Sequence, residues 1–225
     1  NLKQNAKIIS RSPVSFKGTE KSPINIKSSD ASGQGIFVMA DQEESVMEYV
    51  VFDKLSNPSH FGWSLTGAVC FYESPVTIEH CTFKNNNSED ALNIFRSKFL
   101  LNNSHFENTS SDALDVDFSV GTISNSSFKN CINDAVDVSG RNITLLNLTI
   151  DKVGDKAISL GENGHMKGEN ITISNSDIAL VVKDLSSAEF NNISVNNVKV
   201  GIAVYQKKSQ FGPGVAILNN FKSKN

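Results

Sequence analysis

Residues 111–117 read SDALDVD, and about 22 residues later 133–138 read NDAVDV. Both copies run from an acid and an alanine into an alternation of apolar and acidic side chains. Alternation with period two marks a strand whose two faces meet different surroundings. The return of the whole phrase at a fixed spacing marks a repeat architecture.

The same register extends in both directions. From residue 75 the chain divides into PVTIEHCTFKNNNSEDALNIFRS, KFLLNNSHFENTSSDALDVDFS, VGTISNSSFKNCINDAVDVSGR, NITLLNLTIDKVGDKAISLGEN, GHMKGENITISNSDIALVVKDL and SSAEFNNISVNNVKVGIAVYQKK. A small residue recurs at Ala91, Ala113, Ala135, Ala157, Ala179 and Gly201, and a bulky apolar one at Phe83, Phe106, Phe128, Ile150, Ile173 and Val195. Asn follows the bulky residue two places on in most coils, as at Asn85, Asn108 and Asn130. Each coil holds brief alternating segments with no 3.6-residue period, hence several short strands bent by turns. One such coil cannot bury its apolar face alone, and stacking makes a continuous core. The L-x-x-L-x-L-x-x-N spacing of leucine-rich repeats is missing. The fold read from the sequence is all-β: a right-handed, single-stranded parallel β-helix, a solenoid with coils of about 22 residues.

One domain covers 1–225. Residues 1–74 form less regular first coils with a loop insertion at 56–66, 75–208 form the regular coils, and 209–225 form the C-terminal end. GIFVMAD (35–41) and GAVCFYE (67–73) fit the same strand as ALDVD. The chain opens on Asn1 rather than Met and reads as a processed piece of a larger protein, whose other domains would then be partners. A signal sequence removed in processing fits that reading.

Composition narrows the functions. The 225 residues are 39% hydrophobic and 20% charged, with a net charge of -3, the profile of an ordered chain with material for a core. Without a sustained basic block, nucleic acid is excluded as a partner. The longest apolar runs fall well short of a membrane span. Cys70, Cys81 and Cys131 have no metal-site spacing and cannot all pair, so they read as small buried apolar residues. The threonines are too scattered for the flat ladder that ice binding requires.

The recurring F-x-N … D-A-hydrophobic-x-hydrophobic coil resembles the repeat of the pectate-lyase-like β-helix superfamily. The resemblance covers most of 35–205 and implies the fold. The superfamily holds polysaccharide lyases, glycoside hydrolases and uronate epimerases, together with surface and adhesion proteins that catalyse nothing. No polygalacturonase-type set of paired acids, histidine and R-x-K is present, nor an epimerase-type D-P-H.

With Val69, Leu92, Leu114, Val136, Ile158, Leu180 and Ile202 as one core column, and Phe71, Ile94, Val116, Val138, Leu160, Val182 and Val204 as a second, the residues between them should face solvent. That row is Cys70, Asn93, Asp115, Asp137, Ser159, Val181 and Ala203. The next outward row is Tyr72, Phe95, Asp117, Ser139, Gly161, Lys183 and Tyr205, followed by Glu73, Arg96, Phe118, Gly140, Glu162, Asp184 and Gln206.

The middle of this face is acidic. Coils stack about 4.8 Å apart, which makes Asp115 and Asp137 spatial neighbours. Two carboxylates so placed either share a proton or hold a cation, for which Ca2+ is the candidate at Asp115 and Asp137. Like charges on adjacent strands cost stability, and that cost argues for a use. The candidate catalytic residues are Asp115, Asp117, Asp137 and Lys183. A retaining glycosidase would use two of the acids, whereas a calcium-assisted lyase would take Lys183, Lys156 or Arg96 as base. Substrate contacts are expected from Trp63, Tyr72, Phe95, Arg96, Glu162 and Tyr205, because aromatic side chains beside acids suit sugar rings. Asp90, Asp112 and Asp134 sit at the turn before the strand, where Asp satisfies backbone N–H groups.

The expected partner is a polysaccharide or cell-surface glycan, and the expected place is outside the cell or on its surface, in a bacterium. The sequence thus points to an extracellular polysaccharide-binding module that also processes its ligand as a lyase, hydrolase or epimerase would. The alternative is a non-catalytic structural or adhesive segment of a bacterial surface protein.

Overall fold

The computed structural model describes residues 1–41 and 43–224. Among these residues all regular structure is β-strand: one 20-stranded sheet of parallel pairings, and one two-stranded antiparallel hairpin. The large sheet turns corners as it winds, so that it presents three parallel faces around an apolar interior.

The first face begins with Ile8–Ser10 and Ile36–Val38 and continues through Gly67–Tyr72, Asp90–Phe95, Asp112–Asp117 and Val136–Ser139. It ends with 156–161, 178–183 and 200–205, each the last part of a longer strand. The second face runs from Ser15–Lys17 and Ser45–Glu48 through Val76–Glu79, Lys98–Asn102 and Val120–Ser124. The third includes Val50–Asp53, Thr82–Lys84, His105–Thr109 and Ser127–Cys131. In later coils the corners are smooth enough that Asn142–Gly161, His165–Lys183 and Ser187–Tyr205 are each one strand around all three faces.

Corners need residues that accept left-handed backbone, and Asn accepts it at lower cost than most L-residues. Between the second and third faces, Asn103, Asn125, Asn147, Asn170 and Asn192 take φ of 47 to 57°. Later in the third face Asn85, Asn108, Asn130, Asn175 and Asn197 do the same, with φ of 52 to 56°. Their side chains join coil to coil, as Asn108 Nδ2 donating to Asn85 Oδ1 at 3.2 Å and Asn130 Nδ2 to Asn108 Oδ1 at 2.9 Å show.

Inside, like stacks on like. Phe52, Phe83, Phe106 and Phe128 form a column with ring centroids 4.9, 4.7 and 4.8 Å apart. The two first-face core columns are buried as expected through Val182. Val204 departs from the expectation at 43% exposure, because no further first-face strand among the described residues covers it. The three cysteines are free and buried. Burial pushes the thiols of Cys131 and Cys81 up to about 11 and about 12, so they stay neutral packing groups.

Candidate functional site

The strand register sets Phe37, Cys70, Asn93, Asp115, Asp137, Ser159, Val181 and Ala203 in one row on the outer side of the first face. The expectation that this row faces solvent is corrected in part. Cys70 is 3% exposed, and Ser159 and Val181 are 0%. Side chains of the neighbouring row help to cover it. Lys183, itself buried, lies across Gly161, where an added Cβ would come within 2.9 Å of its Cε, and donates from Nζ to Ser159 Oγ at 2.8 Å. Tyr72 and Phe95 stack at 4.9 Å and stand beside the early part of the row. The acids therefore occupy a recessed strip.

Within that strip Asn93 Nδ2 donates to Asp115 Oδ2 at 3.0 Å and to Asp117 Oδ2 at 3.4 Å. Burial first, then the charges of Asp90, Asp117, Asp137 and Asp112, push Asp115 up to about 10, so it carries a proton at neutral pH. Burial likewise raises Asp117, while bonds from Asn93 and Asp115 pull the other way. The two acids thus share a proton. On the next coil, Asp137 Oδ1 lies 3.9 Å from Lys183 Nζ and has no hydrogen-bond partner, although it is itself enclosed.

The structure does not support the Ca2+ expectation at Asp115 and Asp137. The two residues are register partners, but their carboxyl groups are engaged in opposite directions, one with Asn93 and Asp117, the other towards Lys183. Among the described residues no group of three or more His, Cys, Asp or Glu is arranged to hold a metal ion. A retaining pair made from Asp115 and Asp137 is disfavoured for the same reason, since Asp115 already bonds the acid beside it.

The remaining candidates divide. Trp63 belongs to the hairpin of Ser59–His60 and Trp63–Ser64, turned by Gly62 at φ 82°, and its ring sits 6.4 Å from that of Phe37, near the early end of the acidic row. It is partly open at 38%. Tyr205 stands at the far end of the face, next to Lys183 by register. Glu162 is paired with Lys208 from the segment after Tyr205. Arg96 leaves the strip: its guanidinium lies 4.9 Å over the Phe95 ring and 3.6 Å from Glu73, at the corner to the second face. A groove of about 1180 Å³ lies beyond that corner and includes Arg96 and Phe118 but none of the acidic row.

Lys156, an alternative base, is tied to Asp134 at 3.1 and 3.2 Å and to Asp155. The turn column behaves as expected at two positions. Asp112 Oδ1 accepts the Asp134 N–H at 2.8 Å, and Asp134 Oδ1 accepts the Lys156 N–H at 3.0 Å. Asp90 differs, being buried with Oδ2 unpartnered, and burial foremost pushes it up to about 7. Sequence reasoning missed Asn93, which holds the proton-sharing pair, and Ser159 with Gly161, which seat Lys183. All three lie in the outward rows, and that position was the available signal.

The family model described as "Right handed beta helix region" matches residues 67–221. Among solved structures, the chain is similar to a GH87 alpha-1,3-glucanase catalytic domain in complex with nigerose, at 10% identity and TM-score 0.46, over 98% of this chain and 60% of that one. It is also similar to the same kind of domain in complex with tetrasaccharides, at 13% identity and TM-score 0.41, with the same coverage. A thermostable GH87 catalytic unit from Streptomyces thermodiastaticus matches at 10% identity and TM-score 0.28, over 98% of this chain and 62% of that one. The chain spans about 60% of the length of these structures. No curated protein matches it. The family match takes in most of the chain, and the coils it describes are those that carry the acidic row, so the chain belongs to the right-handed β-helix family.

Proposed function

We propose that the chain is a carbohydrate-active module that binds an extracellular polysaccharide along the first face and cleaves it by acid–base hydrolysis. The observation that carries this reading is the recessed strip in which Asn93 holds both Asp115 and Asp117 one coil away from the Asp137–Lys183 pair. Glycoside hydrolysis needs a protonated acid at the leaving oxygen and a second carboxylate across the scissile bond. Asp115 holds the proton at neutral pH, and Asp117, the less deeply buried of the two, relays it to the leaving oxygen. Asp137 serves as the opposing carboxylate. Asp117 and Asp137 are diagonal neighbours, one coil and two residues apart, about 8 Å between Cα atoms from strand geometry. The stacked Tyr72 and Phe95 supply a ring platform, and Lys183 orients Asp137.

Release of reducing ends from a polysaccharide panel tests this reading. Asp117→Asn and Asp137→Asn should each lower turnover by about 100-fold or more while sedimentation with the polysaccharide persists. Unchanged turnover in both variants would overturn the hydrolase reading. The second reading, a non-catalytic adhesive or structural solenoid at the cell surface, draws on how fully Asn93 and Asp117 occupy the Asp115 carboxyl group. Binding without turnover in the wild type would favour it.

A further inference from the structure

The groove beyond the first corner has a charge order that the acidic strip does not explain. Its walls come from successive coils: Asp41 and Glu44, then Glu73, then Arg96 and Lys98, then Arg141. Glu73 and Arg96 pair with each other at 3.6 Å, which neutralises the middle. Acidic side chains remain at the early end, and the unpaired basic ones, Lys98 and Arg141, lie from the middle to the late end. Glu44 is fixed by the Thr77 hydroxyl, which donates to its Oε1 at 2.6 Å. Between the charged ends lie exposed apolar side chains: Leu100 at 37%, Phe118 at 38% and Val120 at 42%.

From this pattern we infer that the groove binds an extended peptide segment with a basic end, an apolar centre and an acidic end. The register counts four coil steps from Glu44 to the coil of Arg141, about 19 Å at the usual strand spacing. A peptide of about six residues in extended form has that length. Leu100 and Val120 offer branched aliphatic contacts, which suit apolar side chains better than the faces of sugar rings, and this favours a peptide over a glycan. Opposite charges at the two ends fix the direction in which such a segment lies.

Fluorescence anisotropy at low salt with synthetic octapeptides tests the inference on the whole chain. The probes are a bipolar peptide with two lysines, four aliphatic residues and two glutamates, an all-basic peptide and an all-acidic one with the same centre. The bipolar peptide should bind tightest. In the double variant Lys98→Glu/Arg141→Glu its affinity should fall by about tenfold, while the all-basic peptide gains by a similar factor. Both lysine and arginine are exposed, so the melting temperature should hold and report an intact fold. The inference is overturned if no peptide binds, if the three bind equally, or if the charge exchange leaves their ranking unchanged. It is also overturned if a neutral oligosaccharide displaces the bipolar peptide as well as an excess of the same peptide does.

Discussion

Asp115 shows how one side chain can be stable and strained at once. Its proton at neutral pH removes one charge from a strip that also holds Asp90, Asp117 and Asp137. Holding that proton is nevertheless a cost of folding, because an unfolded aspartate releases it near pH 4. Asparagine at this position keeps an acceptor for Asn93 and gains a permanent donor towards Asp117. Asp115→Asn should therefore raise stability by about 1–2 kcal/mol at pH 7, discounted for partial solvent contact. The gain should shrink to a small fraction at pH 4, where the unfolded wild-type residue is itself about half protonated. Thermal melts of the two proteins at pH 4 and 7 check this, and equal gains at both pH values would remove proton sharing as the explanation.

The elements are made by corners as much as by strands. Asn147 combines φ of 55° with two ladder bonds, donating to Asn125 at 2.9 Å and accepting from Asn170 at 3.1 Å. Alanine there should cost about 2 kcal/mol, from the left-handed backbone and the lost bonds together. Glycine should cost about 1 kcal/mol less, since it loses the bonds and keeps the backbone conformation. Urea unfolding with an unchanged m-value separates the two variants, and equal midpoints would show that the backbone carries none of the effect. The Asn ladder through Asn85, Asn108 and Asn130 was legible because it keeps pace with the Phe column. The second ladder, through Asn125, Asn147 and Asn170, was not read as one. Its members sit among other Asn and Ser residues, and only the three-dimensional register shows which of them stack.

At the scale of the whole molecule, the repeat made the fold readable from one heptapeptide, because a fixed coil length turns sequence offset into spatial adjacency. The same logic placed Asp115 beside Asp137. It could not show that Asp115 turns to Asp117 and Asn93, because carboxyl orientation depends on which neighbours are small. Gly161 leaves the space in which Lys183 can lean back towards Asp137. That crowding of acids has a consequence for the solenoid as a unit. Asp134, Asp90 and Asp115 are pushed up to about 6, about 7 and about 10, each foremost by burial. Groups raised in the folded state hold protons that the unfolded chain has already released, so unfolding becomes easier as pH rises from about 4 up to each of those values and levels off beyond it. The lowered acids act elsewhere on the scale: Asp30, drawn down to about 2 by bonds from Ser32, stops contributing to the pH slope above about pH 4. Between pH 5 and pH 9 the slope therefore has one sign. Stability should fall by about 1–3 kcal/mol over that range, seen as a falling melting temperature at constant ionic strength. In Asp90→Asn the part of the fall that lies below about pH 7 should be missing, and a wild-type melting temperature that rises with pH would refute the buried-acid account.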